Sequence, residues 1–162
     1  MKSPFHFLRA SPEDQRIGNL KELSLFKDLT RRELRELDGL LHERSYQKDE
    51  VIFEEGDIGL GLFLIVSGKV KIVSSHAVLQ RLAPELGAGD YFGELALFEE
   101  ARRTAGAVAM EPTLVLALFR TEFLSLLESD RRIGVKLLLE ISRTVIARSR
   151  KLLANHTHLP TV

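Results

Sequence analysis

Short runs of β-forming residues dominate the middle of the chain, from Tyr46 to Phe119. The runs are rich in β-branched, aromatic and leucine residues, and they lie at Val51–Phe53, Leu62–Val66, Val70–Val73 and Leu114–Phe119. Residues typical of turns separate them at close intervals, at 55–57, 67–69, 74–76 and 87–90. Short strands joined by tight turns favour an antiparallel fold over alternating strands and helices. The middle is therefore predicted to be a jelly-roll-like antiparallel β-roll.

Helical patterns precede this β region. Ser11 is a predicted N-cap with Pro12 in the first turn, and the helix is expected to run toward Leu25. Thr30 and Glu33 have the spacing of a capping box at the start of a second helix. The apolar face of that second helix consists of Leu34, Leu37, Leu40 and Leu41.

Helical patterns also follow the β region, which makes the fold class α+β. One helix is predicted to open at Thr121, and a longer one is predicted from Ile133 to Leu153. The longer helix carries a heptad-like stripe made of Leu138, Ile141, Val145, Arg148 and Leu152. This stripe fits packing on the β region or on a second subunit, and the spacing leaves both open.

The expected organisation is a loosely ordered start at 1–10, N-terminal helices at 11–45 and the β-roll at 46–119. C-terminal helices at 120–154 and a tail at 155–162 follow.

Charge and composition exclude several classes of function. Lysine plus arginine and aspartate plus glutamate number 23 each, so the overall charge favours neither nucleic acid nor an anionic membrane. The chain has no cysteine, which excludes disulfides and thiolate metal sites. Its first residues lack a sustained apolar run, so we expect a cytoplasmic protein without a signal peptide or membrane span.

One segment, from Phe92 to Ala105, has the features of a small phosphate site. A glycine precedes a predicted helix start at Glu94, and Arg103 follows nine residues later with Thr104 beside it. A helix start offers unpaired backbone N–H groups, and a guanidinium offers a bidentate positive fork. A carboxylate there can accept hydrogen bonds from sugar hydroxyls. The pattern predicts a nucleotide ligand with one phosphate.

The order of these features resembles the cyclic-nucleotide-binding domain family, including catabolite activator and kinase regulatory-subunit types. The similarity covers nearly the whole chain and includes the segments 25–30, 51–57 and 62–68. Its specific part is Gly93–Ala96 together with Arg103–Ala105. That segment corresponds to the phosphate-binding cassette of the family. The chain departs from the family pattern at Arg102, where many members have proline, and at Gly106–Ala107.

The resemblance implies a role for each cassette residue. Arg103 would pair with the cyclic phosphate, Glu94 would accept from the ribose 2′-hydroxyl, and the backbone of Leu95 and Ala96 would complete the phosphate site. Gly93 would let the backbone approach the ligand, and in the empty state Glu94 would offset the charge of Arg103. The ligand-binding residues are thus expected to be Phe92, Gly93, Glu94, Leu95, Ala96, Arg103, Thr104 and Ala105.

The base is left open by Thr104, because the family uses threonine in cGMP-selective sites and serine or threonine in several bacterial cAMP sites. We expect cAMP over cGMP, since nothing else in the cassette is recognisably specific for guanine. By the same resemblance, Arg148 and Ser149 lie where the terminal helix covers the purine and are candidates for a base cap.

Some of the same residues also fit simpler roles. Arg103 alone would fit a surface salt bridge with Glu99 or Glu100, and Arg102 a solvated residue or a competitor for the phosphate. A metal enzyme is disfavoured because, of the histidines, only His76 lies in the predicted β region. Basic residues of the terminal helix fit a solvated edge better than a nucleic-acid surface.

The sequence therefore predicts a non-enzymatic cyclic-nucleotide sensor that needs no metal or other cofactor. Bacterial transcription factors of this type carry a DNA-binding domain after the long helix, whereas this sequence ends at Val162. The expected output is an unidentified protein effector in trans, reached through movement of the terminal helix. A homodimer through that helix is also expected. The alternative is an interaction scaffold of the same fold that no longer binds ligand.

Overall fold

Two four-stranded antiparallel sheets form the β-roll. The structure is a computed structural model that describes residues 11–77, residue 80 and residues 84–156, so the expectations for 1–10 and for the end of the tail lie outside it. The described strands are β1 (His42–Tyr46), β2 (Val51–Phe53), β3 (Gly61–Ser67), β4 (Val70–Val73), β5 (Glu85–Leu86), β6 (Tyr91–Phe92), β7 (Gly106–Ala109) and β8 (Thr113–Phe119). One sheet has the order β1-β8-β3-β6 and the other β2-β7-β4-β5. The predicted α+β β-roll between helices is confirmed.

Helices flank the roll on both sides along the chain. They are α1 (Pro12–Lys21), α2 (Arg31–Asp38), α3 (Arg120–Ser129) and α4 (Arg131–His156), with 3-10 turns at Ser24–Phe26 and Glu94–Leu97. Ser11 caps α1 with Pro12 in its first turn, and Thr30 with Glu33 forms the predicted capping box of α2. The prediction that α1 runs toward Leu25 is wrong, because it ends at Lys21 and a separate 3-10 turn follows.

Side chains on the two faces of strand β3 belong to two separate parts of the core. Leu62 and Leu64 point to an outer core shared with the helices, while Ile65 joins an inner core between the sheets. The outer core contains side chains from each of the four helices named above, including Ile17, Leu34, Phe123 and Ile133. Since β3 is buried on both faces, its sequence is a continuous apolar run. The helices therefore cover one sheet, and the inside of the roll is a separate apolar layer.

Helix α4 is attached to the rest of the molecule mainly through its first half. Ile133, Leu137 and Ile141 are 0% exposed. Three ion pairs tie this half to the N-terminal segment, Lys136 with Glu33 at 2.7 Å, Lys27 with Glu140 at 2.9 Å and Arg143 with Asp28 at 3.6 Å. Among the side chains that the structure describes beyond Ile141, none is fully buried. The second half of α4 is therefore less firmly held.

Two different stripes run along α4. Ile141 of the predicted stripe is buried, while Leu138, Val145 and Arg148 are half-buried toward the body of the domain; the side chain of Leu152 lies outside the description. A second stripe, one position further on, faces outward and is called the exposed seam. It consists of the exposed residues Val135, Leu139, Ile146, Ser149 and Leu153 and of Ser142, which is half-buried. Its four apolar members are 47%, 51%, 52% and 68% exposed in that order.

Candidate ligand-binding site

Arg103 lies buried next to the turn between β2 and β3. Its backbone N–H donates to the carbonyl of Asp57 at 2.7 Å, and its own carbonyl accepts from the N–H of Gly56 at 2.9 Å. The residue is 9% exposed. The alternative of a surface salt bridge with Glu99 or Glu100 does not hold, since the Arg103 side chain is buried and Glu100 pairs with Arg120 at 2.6 Å. The turn thus holds Arg103 through hydrogen bonds to both its backbone N–H and its carbonyl.

The guanidinium of Arg103 bonds to two backbone carbonyls. Nη1 donates to Gly93 at 3.0 Å and Nη2 to Gly61 at 2.8 Å. Nε is buried and has no hydrogen-bond partner within the described part of the chain. Burial lowers the pKa of Arg103, and the nearby charges of Asp57 and Glu94 act in the opposite direction. A buried cation without a carboxylate partner is costly, so this position favours an anionic ligand.

Aromatic rings surround the same guanidinium. Its Cζ lies 4.1 Å from the ring centroid of Phe53 and 5.8 Å from that of Phe63. Phe92 completes a three-ring cluster, with its centroid 5.8 Å from Phe53 and 5.6 Å from Phe63. Phe92 was predicted only as a cassette residue. The contributions of Phe53 and Phe63 were missed, because they come from strands far away along the chain.

Gly93 has a steric role beside Arg103. Its φ of +76° is left-handed, and a Cβ built there would lie 2.5 Å from Nη1 of Arg103. Any larger residue at this position would be strained and would also displace the guanidinium. Glycine is therefore required here by the protein itself, in addition to any close approach by a ligand.

The predicted helix start is a 3-10 turn of four residues, Glu94–Leu97. The N–H of Ala96 donates to the carbonyl of Gly93 at 3.2 Å and is thus already used within the turn. Leu95 is 47% exposed, whereas Ala96 is buried. The part of these two backbone groups in binding phosphate stays a prediction.

Glu94 is hydrogen-bonded to Arg148 of the terminal helix, α4. Its Oε1 accepts from Nη1 of Arg148 at 2.7 Å, and Nη2 of Arg148 donates to the carbonyl of Tyr91 at 2.5 Å. Cζ of Arg148 also lies 5.4 Å from the Tyr91 ring centroid. The expectation that Glu94 offsets Arg103 holds only at longer range, because its direct partner is Arg148. Arg148, a candidate base cap, instead contacts the carboxylate assigned to the ribose.

The remaining predicted residues lie at the margin of this cluster. Thr104 is exposed, and its side chain has no hydrogen bond to any residue in the described ranges. Ala105 is half-buried just before β7. Ser149 is exposed on the seam of α4, so its part in a base cap stays a prediction.

An open cavity of about 490 Å³ borders Arg103, and Glu94 is not among its lining residues. Its lining consists of Phe53, Gly56, Asp57, Ile58, Leu60, Arg102 and Arg103. Arg102 is exposed and donates from Nη1 to the carbonyl of Gly56 at 2.8 Å. The Glu55–Asp57 turn signal marked this loop in the sequence, but nothing local indicated that it lies against the cassette.

His42 lies in β1, so the statement that only His76 belongs to the β region is wrong. Its Nε2 is 2.8 Å from Oε1 of Glu122, and its ring packs 4.9 Å from Phe119. Across residues 11–77 and 84–156, no group of three or more histidine, aspartate or glutamate side chains is arranged to hold a metal ion. Nor does any described helix combine the length and apolar character needed to cross a bilayer.

Comparisons with known proteins agree with this geometry. The family model "Cyclic nucleotide-binding domain" matches residues 43–130. The chain is 39% identical over 109 residues to the cyclic AMP receptor protein of Thermus thermophilus, covering 67% of this chain and 50% of the relative. It is 35% identical over 106 residues to human cGMP-dependent protein kinase 2, covering 63% of this chain and 14% of the kinase. The match therefore spans half or less of these relatives.

A solved structure supports the fold. A cyclic nucleotide-binding domain from Methylobacillus flagellatus superimposes with a TM-score of 0.79 at 24% identity, covering 91% of this chain and 87% of that one. At this level of identity the likeness concerns the architecture alone.

Proposed function

Since the chain belongs to the cyclic nucleotide-binding domain family, we propose that it is a cyclic-nucleotide sensor that signals through its terminal helix. The observation that carries this proposal is the bond between Arg148 of α4 and Glu94 of the cassette, at 2.7 Å. It joins the helix that would transmit the signal directly to the carboxylate that would receive the ligand.

The phosphate would bind to Arg103. A cyclic phosphodiester carries one negative charge, which matches one buried guanidinium lacking an ion-pair partner in the described structure. Arg103 uses one N–H of each Nη on a backbone carbonyl and retains the second N–H of each for an anion. A charge-assisted hydrogen bond contributes about 1.5–3 kcal/mol, so Arg103 would supply much of the affinity.

The ribose would compete with Arg148 for Glu94. A carboxylate oxygen that accepts from a 2′-hydroxyl must share or release its bond to Nη1 of Arg148. Release would loosen the second half of α4, because Arg148 makes polar contacts from that half to Glu94 and to the carbonyl of Tyr91. The first half stays in place through its buried side chains. Ligand binding thus shifts an equilibrium of the helix end.

The proposed base is adenine rather than guanine. The named function of the Thermus thermophilus relative supports cAMP, while Thr104 fits either base. Because Thr104 is exposed and free of protein hydrogen bonds in the described chain, its hydroxyl is available to the ligand. We keep cGMP as the second ligand to be tested.

Another protein would recognise the change in the terminal helix, and no catalytic step is required of this chain. The exposed seam supports a homodimer as the form that the partner protein recognises. Its residues are spaced at alternating intervals of four and three, as in a coiled coil. An unidentified protein effector in trans and a cytoplasmic location stay predictions from the sequence.

A scaffold that no longer binds ligand is the second candidate. The observation in its favour is that Arg148 already satisfies Glu94 and that the open cavity beside Arg103 does not reach that carboxylate. On this hypothesis the Arg148 bond is a permanent structural contact.

Calorimetric titration with cAMP and with cGMP separates the two candidates. We expect heat of binding with at least one nucleotide, a raised melting temperature, and loss of both in Arg103→Ala. Arg102→Ala removes the neighbouring exposed guanidinium and should bind as the parent does. Absence of heat and of any thermal shift at millimolar nucleotide would exclude the sensor and leave the scaffold. Normal binding by Arg103→Ala would show that the phosphate partner lies elsewhere.

A further inference from the structure

We infer that Phe53 is a positioning residue that holds the guanidinium of Arg103 ready for an anion before any ligand arrives. The inference rests on the proposed function for the identity of the anion. Its structural part concerns only this chain.

The guanidinium of Arg103 lies close over the face of the Phe53 ring. Cζ of Arg103 lies 4.1 Å from the centroid of the Phe53 ring, well inside the range of a cation–π interaction. The second nearest ring, Phe63, is 5.8 Å away and therefore contributes less. Phe53 is thus the main aromatic support of this cation.

The Phe53 ring is itself held in place. It packs 5.6 Å from Phe63 and 5.8 Å from Phe92, at interplanar angles of 37° and 38°. Phe53 comes from one sheet, whereas Phe63 and Phe92 come from paired strands of the other. The support therefore forms only when the two sheets are assembled, and it is part of the inner core.

Backbone carbonyls fix the edge of the same guanidinium. Gly93 and Gly61 each accept one N–H, and a Cβ at Gly59 would lie 3.5 Å from Cζ. The face of the guanidinium lies on the Phe53 ring, and two of its N–H groups donate to backbone carbonyls. Rotation of the guanidinium would therefore break several contacts at once. The second N–H of each Nη remains for a ligand. A phosphate would meet donors already oriented, which reduces the entropic cost of binding.

This assignment predicts different effects for two substitutions at one position. Phe53→Leu keeps an apolar side chain but removes the ring, so Arg103 should lose its orientation. Phe53→Tyr keeps the ring face and should preserve it. Phe98→Leu is the matched control, because Phe98 is exposed and packs on Phe123, away from Arg103.

The first test needs no nucleotide. The Nε–H signal of Arg103 in a ¹H–¹⁵N spectrum is identified by its loss in Arg103→Lys, and its exchange with water is then measured. We expect slow exchange in the parent, in Phe53→Tyr and in Phe98→Leu, and at least tenfold faster exchange in Phe53→Leu. Equal exchange rates in Phe53→Leu and the parent would overturn the inference. If Phe53→Leu does not fold by circular dichroism, Phe53→Met serves the same purpose.

The second test is a double-mutant cycle on the Kd for cAMP. Phe53→Leu should weaken binding about tenfold in the parent background, in line with a desolvated cation–π contact. It should have little effect in the Arg103→Lys background, because the lost support then has no guanidinium to orient. Equal weakening in both backgrounds would indicate a general packing role and contradict the inference. Should the parent bind neither nucleotide, the proposed function fails while the exchange result still decides the role of Phe53.

Discussion

Arg148 donates to Glu94 at 2.7 Å across 54 positions of the chain. Glu94 is 8% exposed, and Arg148 provides its ion pair within the described structure. An acidic group at this depth needs such a partner, because an unpaired buried carboxylate is costly. The bond therefore stabilises the ligand-free arrangement of α4, and whatever replaces Arg148 at Glu94 must compete with it.

Removal of the Arg148 side-chain charge should strengthen nucleotide binding. In Arg148→Gln we expect the Kd for cAMP to fall about three- to tenfold, since the ribose no longer displaces a charge-assisted bond. The ligand-free protein should also unfold more easily, by about 1 kcal/mol, because Glu94 loses its partner. Arg150→Gln removes the same charge from an exposed neighbour and should change neither value. Unchanged or weaker binding by Arg148→Gln in calorimetry would contradict the competition.

Substitution of Gly93 should damage the site and the fold together. In Gly93→Ala the new Cβ meets Nη1 of Arg103 at 2.5 Å in a backbone with φ of +76°, so we expect a loss of about 1–3 kcal/mol in unfolding free energy. Cyclic-nucleotide binding should be lost as well. Gly18→Ala is the control, since a Cβ there meets nothing within 4 Å in helix α1. It should stabilise the protein by about 0.5–1 kcal/mol in urea denaturation.

Acid should weaken the attachment of α4 to α2. Burial alone would raise the pKa of Glu33, but hydrogen bonds from Lys136 and Thr30 outweigh it and hold the pKa at about 2, against 4.5 for a free glutamate. Because the folded-state pKa is depressed, this stabilisation is complete above about pH 4.5 and is lost as the pH falls toward about 2.

Urea denaturation between pH 6 and pH 2 tests this dependence. The parent should lose about 1 kcal/mol more than Lys136→Gln over that range, a value reduced for solvent screening. Lys151→Gln, at an exposed lysine of the same helix, should retain the dependence of the parent. Parallel curves for the parent and Lys136→Gln would mean that the pair does not control the acid response.

The exposed seam should control self-association. Ile146 is 52% exposed, so Ile146→Glu should leave the fold intact while placing a charge in the centre of a coiled-coil contact. We expect a dimer for the parent and a monomer for this variant by light scattering. Leu124→Glu changes a leucine that is 40% exposed on α3 and should remain dimeric. A monomeric parent, with and without nucleotide, would rule out the seam as an interface.

Much of the fold could be predicted because its strands and helices are encoded locally. The run at Val70–Val73 has the predicted bounds, and the caps at Ser11 and Thr30 are confirmed. The strand His42–Tyr46 was missed because it carries charged and polar residues and none of its side chains is fully buried. It is a strand because it pairs with β8 along its whole length, and such pairing cannot be read from a local pattern.

The candidate site divides in the same way. Gly93, Glu94 and Arg103 are close in the sequence, so their spacing predicted a common site. The partners of these residues are distant along the chain, since Gly61 accepts from Arg103 across 42 positions and Arg148 reaches Glu94 across 54. Phe53 likewise contacts Arg103 only through the assembled sheets. These contacts depend on tertiary structure, and no periodic pattern in the sequence indicates them.

The two halves of α4 are attached differently, so they contribute to two different free energies, that of folding and that of helix docking. Its first half contributes Ile133, Leu137 and Ile141 to the outer core, so substitutions there act on folding. Its second half carries Arg148, which bonds to Glu94 and Tyr91, so on the proposed function substitutions on those turns would act on the balance between docked and released forms. On the proposed function, substitutions on the last turns of α4 would therefore change the sensitivity to ligand at a cost of about 1 kcal/mol in stability, less than the cost of removing a buried core side chain of its first half.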